Sequence, residues 1–194
     1  MFKNKFSKLV WVLLCTFALP ASAQLKYEKE SRLAVEEVPE QARNFIKAIT
    51  TSKKVKWYLE EGLDRSSIEA KFEYKDHNYS IEFDSIGTLE DVEVQLKWSE
   101  IAPTTREGIT QYLANECKKH KVRRIQVQYT GEPSTLLQKI VMGTTTFKYT
   151  TRFELVVKCR TSENVALFEY LFNDQGQKLS ASKIVFKNSS HLEY

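Results

Sequence analysis

Three histidines could carry acid–base or metal chemistry: His77 in a turn, His120 near a helix end and His191 in the C-terminal tail. They are scattered, and the chain has no HExxH and no CxxC. Zinc sites need His and Cys clustered at short spacing, so none is expected. No G-x-S-x-G occurs, and six glycines without a Gly-rich loop leave nothing to cradle a nucleotide phosphate. Carboxylates are plentiful, as in Glu36-Glu37, Glu60-Glu61 and Glu90-Asp91. A glycosidase needs two acids facing each other across a cleft. Neighbours on a strand point to opposite faces, so these pairs read as solvated charge. Trp57 and Trp98 sit on alternating stretches and read as core packing rather than ligand stacking. Asn78 and Asn188 match the glycosylation acceptor pattern, which carries little weight.

The first 23 residues read as a secretory signal peptide. Lys3, Lys5 and Lys8 precede the apolar run VWVLLCTFAL, and Ala21-Ser22-Ala23 makes a cleavage site before Gln24. The run is too short for the roughly twenty residues of a spanning helix. Leu13 and Leu14 ahead of Cys15 argue against a lipoprotein. The whole chain carries 29 Lys and Arg against 25 Asp and Glu, and three lysines lie in this segment, which leaves 26 against 25. So balanced a mature chain has no basic excess to argue for nucleic acid or anionic lipid, and no nucleic-acid partner is expected. The local basic run Lys118–Arg124 reads as a helix end, where cations favour the dipole.

Two cysteines remain after cleavage, Cys117 on the apolar face of an expected helix and Cys159 on that of an expected strand. An oxidising compartment permits a disulfide between them; the alternative is two buried thiols.

The elements that would position these residues fall into two similar sets. Residues 24–37 form a charged lead-in with one short strand. In 38–99, Pro39 opens a helix with Ala42, Phe45, Ile46 and Ile49 on one face. Four alternating strands follow, joined by hairpins. In 100–187, Pro103 opens a second helix, with Thr104 and Glu107 as a capping box, and four more strands follow. Phe83-Asp84-x-x-Gly87 matches Phe172-Asn173-x-x-Gly176, each Gly where a tight hairpin takes positive φ. After that turn the apolar phase slips by one, since Val92 and Val94 align with Ala181 and Lys183. The second set also carries an extra stretch, 131–146, whose Gly131, Pro133 and Gly143 suggest a hairpin or extended strands. The expected fold class is α+β: two tandem units, each a helix packed on a four-stranded antiparallel sheet, forming one extended sheet. Residues 188–194 are a tail.

In the first unit the strand face opposite the helix is charged, with Glu69, Lys71, Glu73, Ser80 and Glu82. In the second, Val156, Leu167 and Leu171 lie on that face. Either the extra stretch buries them or they form an interaction face.

The order of a Pro-led helix, KVKWYLEEG, AKFEYKDHNYSIEFDSIGTLEDVEV and a second helix-plus-sheet unit resembles the PepSY-like proteins of the bacterial envelope. These are periplasmic proteins with a fold akin to the beta-lactamase-inhibitor protein. The resemblance runs from about Val38 to Phe186 on motifs of low specificity, and the second half departs from it, with IQVQY for KVKWY and a long insertion. It implies tandem units and a binding or inhibitory role, with no catalytic motif and no cofactor to carry over. The expected protein is therefore a non-enzymatic periplasmic one that binds an unknown envelope protein or peptide. The alternatives are a carrier of a lipid or small apolar ligand between helix and sheet, and an unrecognised hydrolase.

Overall fold

The structure is a computed structural model that describes residues 24–26, 29–62, 65–162 and 164–185. The signal segment 1–23 with its cleavage point and Cys15, and the tail 188–194 with Asn188 and His191, lie outside the described residues. Among the described residues no helix is long and apolar enough to cross a membrane.

In chain order the elements are β1 (Gln24–Lys26), β2 (Lys29–Leu33), a 3-10 turn (Val35–Glu37), α1 (Glu40–Ile49), β3 (Lys56–Glu61), β4 (Ser66–Tyr74), β5 (His77–Phe83) and β6 (Leu89–Gln95). A second 3-10 turn (Trp98–Glu100), α2 (Pro103–Glu116), β7 (Lys119–Thr130), α3 (Pro133–Met142), β8 (Thr150–Arg160), β9 (Val165–Asn173) and β10 (Lys178–Ile184) follow. The strands form one sheet in the order β1-β10-β9-β8-β7-β6-β5-β4-β3-β2. The chain is thus α+β with a largely antiparallel sheet; among the described strands only β1 runs parallel to its neighbour, β10.

Helix α1 buries Ala42, Ile46 and Ile49, and Phe45 meets the Phe83 ring edge-on at 5.9 Å. Helix α2 buries Thr105, Ile109 and Leu113, and Tyr112 packs on Tyr170 and Phe172. The strands answer with alternating apolar residues, including Trp57, Ile81, Val92, Val127, Leu155 and Phe172, in one continuous core.

The two glycine hairpins are built alike. Asp84 Oδ1 accepts from Ile86 N and Thr88 N, and Asn173 Oδ1 accepts from Gln175 N and Gln177 N. Gly87 and Gly176 have φ of 90° and 74°. The first turn docks on the start of α1 and the second on the start of α2: a Cβ on Gly87 would lie 2.7 Å from Pro39 Cβ, and one on Gly176 would lie 2.3 Å from the Thr105 carbonyl oxygen. Register shifts follow at matching places, leaving out Glu90 opposite Phe83 and Leu179 opposite Phe172. Both hairpins bulge, and Ala181 packs against the core in the place of Val92, while Lys183 holds the place of Val94.

Several expectations are corrected. The stretch 131–146 forms α3, not a hairpin, because Pro133 suits a first helical turn and Gly143, at φ 78°, caps the end with its N–H on Lys139 O. Lys139 stands over the rings of Tyr129 and Tyr149, so α3 lies on the helix side of the sheet and does not cover the face that bears Val156. The basic run from Lys119 to Arg124 is strand, since α2 stops at Glu116 and β7 pairs Lys119 with Arg160 and Lys121 with Lys158. Thr104 and Glu107 lie inside α2, whose N-cap is Ala102. Trp98 lies in a 3-10 turn beyond β6, and the lead-in holds two strands rather than one. Each 3-10 turn is closed by a glutamate reaching back, Glu37 to Ala34 N at 2.9 Å and Glu100 to Lys97 N at 2.6 Å, and each is followed by a buried Val38 or Ile101.

Candidate functional site

The helices cover one side of the sheet, and the other side carries the polar alternates. Reading across β3 to β9 in register, one row runs Lys56, Lys71, Ser80, Glu93, Gln128, Arg152, Asn173. The row beside it runs Glu73, Asn78, Gln95, Gln126, Glu154, Leu171. Such a face is ordinarily wet, yet Glu69, Glu93, Gln126 and Glu154 are only 4%, 7%, 7% and 8% exposed. The curvature of the sheet explains this. Strands β1 and β2 pair at opposite ends of the sheet and are separated by two residues. Lys26 and Lys29 are three Cα steps apart, at most about 11 Å. The two ends of the sheet therefore approach each other, and the face between them is concave.

That concavity forms a half-open cavity of about 470 Å³ lined from β2 to β8. Seven carboxylates line it, those of Glu30, Glu60, Glu69, Glu73, Glu82, Glu93 and Glu154, against four cations, Lys54, Lys56, Lys71 and Arg124. Lys71 Nζ lies 3.0 Å from Glu30 Oε2 and 2.7 Å from Glu69 Oε2. Burial works against the Lys71 charge, but the hydrogen bonds and fields of Glu69 and Glu30 outweigh it and raise its pKa. Carboxylate oxygens of Glu30, Glu60 and Glu69 lie within 4.8 Å of one another, a spacing that would suit a cation, and the Lys71 ammonium already supplies that charge. Ser80 donates to Glu69 as well.

The centre of the cavity is less well balanced. Gln126 Nε2 donates to Glu93 Oε2 at 2.6 Å, and Gln128 Nε2 to Asp91 Oδ2 at 3.0 Å. The carbonyl oxygens Gln126 Oε1 and Gln128 Oε1 are buried and accept no hydrogen bond. Arg124 reaches Glu154 at 3.2 Å and Glu169 at 4.0 Å. Burial, followed by the fields of Glu154, Asp91 and Glu82, pushes the Glu93 carboxyl well above the ordinary carboxylate range, with Arg124 pulling the other way.

A carboxyl whose folded pKa exceeds its unfolded value stabilises the fold below the unfolded pKa, and that contribution is lost as pH rises through the folded one. Once ionised, Glu93 therefore opposes folding. Glu93→Gln keeps an oxygen to accept from Gln126 and removes the charge. It is expected to stabilise the protein by about 1 kcal/mol at pH 8, with the gain shrinking toward pH 4. Thermal unfolding at the two pH values measures this.

Of the residues expected from the sequence to matter, Val156, Leu167 and Leu171 stand half-buried on the open face of β8 and β9. They pair with Arg124 and Glu169, with Lys158, and with Glu154 respectively, so they extend the acidic cavity into a mixed apolar margin. Cys117 and Cys159 belong to the helix side. They are joined by a disulfide with Cα atoms 5.4 Å apart, which ties the end of α2 to β8. Between helices and sheet, Ile81, Phe83, Ile109 and Leu155 are fully buried. A groove of about 770 Å³ opens at the α1 margin among Arg32, Arg43, Ile46 and Trp57. Sequence reasoning missed Glu93, Gln126 and Glu154. The signal available was acids and amides at facing positions of successive strands.

The fold is similar to that of a BLIP-like protein and of other solved structures from Bacteroides. A BLIP-like protein from Bacteroides fragilis is 15% identical, with a TM-score of 0.50 over 79% of this chain and 92% of that one. A proposed periplasmic protein from Bacteroides eggerthii is 11% identical, with a TM-score of 0.50 over 75% and 88%. A DUF2874 family protein from Bacteroides ovatus is 13% identical, with a TM-score of 0.49 over 75% and 87%. No family model matches the sequence, and no curated protein does.

Proposed function

We propose that this is a non-enzymatic, secreted protein of the periplasm that binds a protein or peptide partner through the open face of its sheet. One observation carries this reading: a concave polar face lined from seven strands, opposite the three described helices. The BLIP-like fold and a structural neighbour proposed to be periplasmic support it. The signal-like segment 1–23 supports secretion. Two tandem units related by duplication account for the matched 3-10 turns, helix starts and glycine hairpins.

The test is capture of envelope proteins on the immobilised mature chain, followed by cross-link mapping. Cross-links from the partner to Lys56, Lys71 or Lys54 are expected. Cross-links confined to the helix side contradict the reading.

A second reading, a hydrolase, draws on Glu93, a buried acid with a raised pKa among other carboxylates, which is the environment of a general acid. Hydrolysis of an envelope polymer that Glu93→Gln abolishes would establish it.

A further inference from the structure

The open face has a chemical preference that narrows the partner. Its cavity is lined by an excess of three negative charges, although the mature chain is nearly neutral. Two of its four cations are already engaged, Lys71 by Glu30 and Glu69, and Arg124 by Glu154 and Glu169. Gln126 is 7% exposed, lines the cavity and leaves its carbonyl oxygen without a donor. Gln128 beside it does the same. Glu93 and Glu154 flank that amide from the two adjacent strands. Donors without acceptor capacity complete such a site, and guanidinium and ammonium groups are the side chains of that kind. Burying carboxylates without such a group is costly, so the lining is poorly explained by stability alone.

We propose that the cavity seats an arginine or lysine side chain carried on an extended segment of the partner protein, received by Glu93, Glu154 and the Gln126 carbonyl. This rests on the partner-binding reading above and adds the charge of the occupant. The raised pKa of Glu93 supports it, because a seated cation favours the ionised form. Around Glu93 stand Ser80 and Glu82 of β5, Asp91 of its own strand, Arg124, Gln126 and Gln128 of β7, and Glu154 of β8. Acids dominate this ring, so affinity rises with pH as Glu93 ionises.

The probe is a short peptide of alternating Arg and Gly, with a Gln–Gly peptide as reference, titrated calorimetrically into the full mature chain at low salt. The Arg peptide is expected to bind at least about tenfold tighter than the Gln peptide. That preference is expected to be lost in Glu93→Gln, which folds at least as stably as the parent, and kept in Gln111→Lys on the outer side of α2. Equal binding of the two peptides, or an unchanged preference in Glu93→Gln, overturns the proposal. So does displacement of the Arg peptide by stoichiometric calcium, which would make the occupant a metal ion. If envelope capture still yields a partner cross-linked to the open face while the Arg peptide fails, the partner-binding reading stands and only the cationic occupant falls.

Discussion

Gly176→Ala is expected to destabilise the protein by at least about 3 kcal/mol. Two costs add at this position. The φ of 74° lies in the left-handed region, where a side chain costs about 1–2 kcal/mol. The added Cβ also meets backbone on three sides: Thr105 O at 2.3 Å, Ile109 N at 2.9 Å and Gly108 Cα at 3.0 Å. None of these is the end of a flexible side chain, so the β9–β10 turn must lift from α2. Thr105 Oγ1, which donates to the Asp174 carbonyl oxygen, would lose its acceptor in the process. Gly143→Ala is the control. Its φ is 78°, but nothing lies within 4 Å of the added Cβ, so only the backbone cost of about 1 kcal/mol is expected. Denaturant unfolding of both variants separates the two contributions. Equal losses would mean that the close approach to α2 contributes nothing.

Removal of the Cys117–Cys159 disulfide by paired serine substitution is expected to cost about 4 kcal/mol. The two residues are 42 apart in sequence, and closing so long a loop removes much of the unfolded chain's freedom. Both positions are buried, at 3% and 0% exposure, so serine also places hydroxyls in an apolar site. The bond has a local task as well. It holds the end of α2 against β8 where Lys119 faces Arg160 and Lys121 faces Lys158 across the ladder, like charges that push the strands apart. In the reduced protein, amide exchange is expected to rise first at this end of β7 and β8. Loss confined to global unfolding, with that end unchanged, would show that the cross-link acts only on the unfolded chain.

Much of the scaffold was legible because it is written in local periodicity. Ala42, Phe45, Ile46 and Ile49 announce α1, and Asp84-x-x-Gly87 and Asn173-x-x-Gly176 announce their turns through an Asx side chain and a positive-φ glycine. Local signals also misled. In 131–146 the punctuation by Gly131, Pro133 and Gly143 suggested strand breaks, whereas two of these residues start and cap α3. The 3-10 turns are too short for any period to show. The bulges at Glu90 and Leu179 cannot be seen in one strand, because a bulge is a relation between two. The candidate site was illegible for the same reason. Glu69, Glu93 and Glu154 each occupy the outward position of an alternating strand, where solvent is the ordinary neighbour. They are surrounded by side chains of neighbouring strands, Lys71 and Ser80 at Glu69, Gln126 at Glu93 and Arg124 at Glu154, and those neighbours lie far apart in sequence.

Partner recovery by a charge reversal at the rim of the cavity tests the central claim most directly. Glu73 is exposed and lines the cavity, so Glu73→Arg changes the open face without disturbing the core. Immobilised parent, Glu73→Arg and Gln111→Lys chains would be exposed to the same envelope extract, and the captured protein quantified by mass spectrometry. The account predicts that the partner held by the parent and by Gln111→Lys is reduced at least about tenfold on Glu73→Arg. Equal recovery on Glu73→Arg, with loss on Gln111→Lys, would place the binding surface on the helices and contradict it.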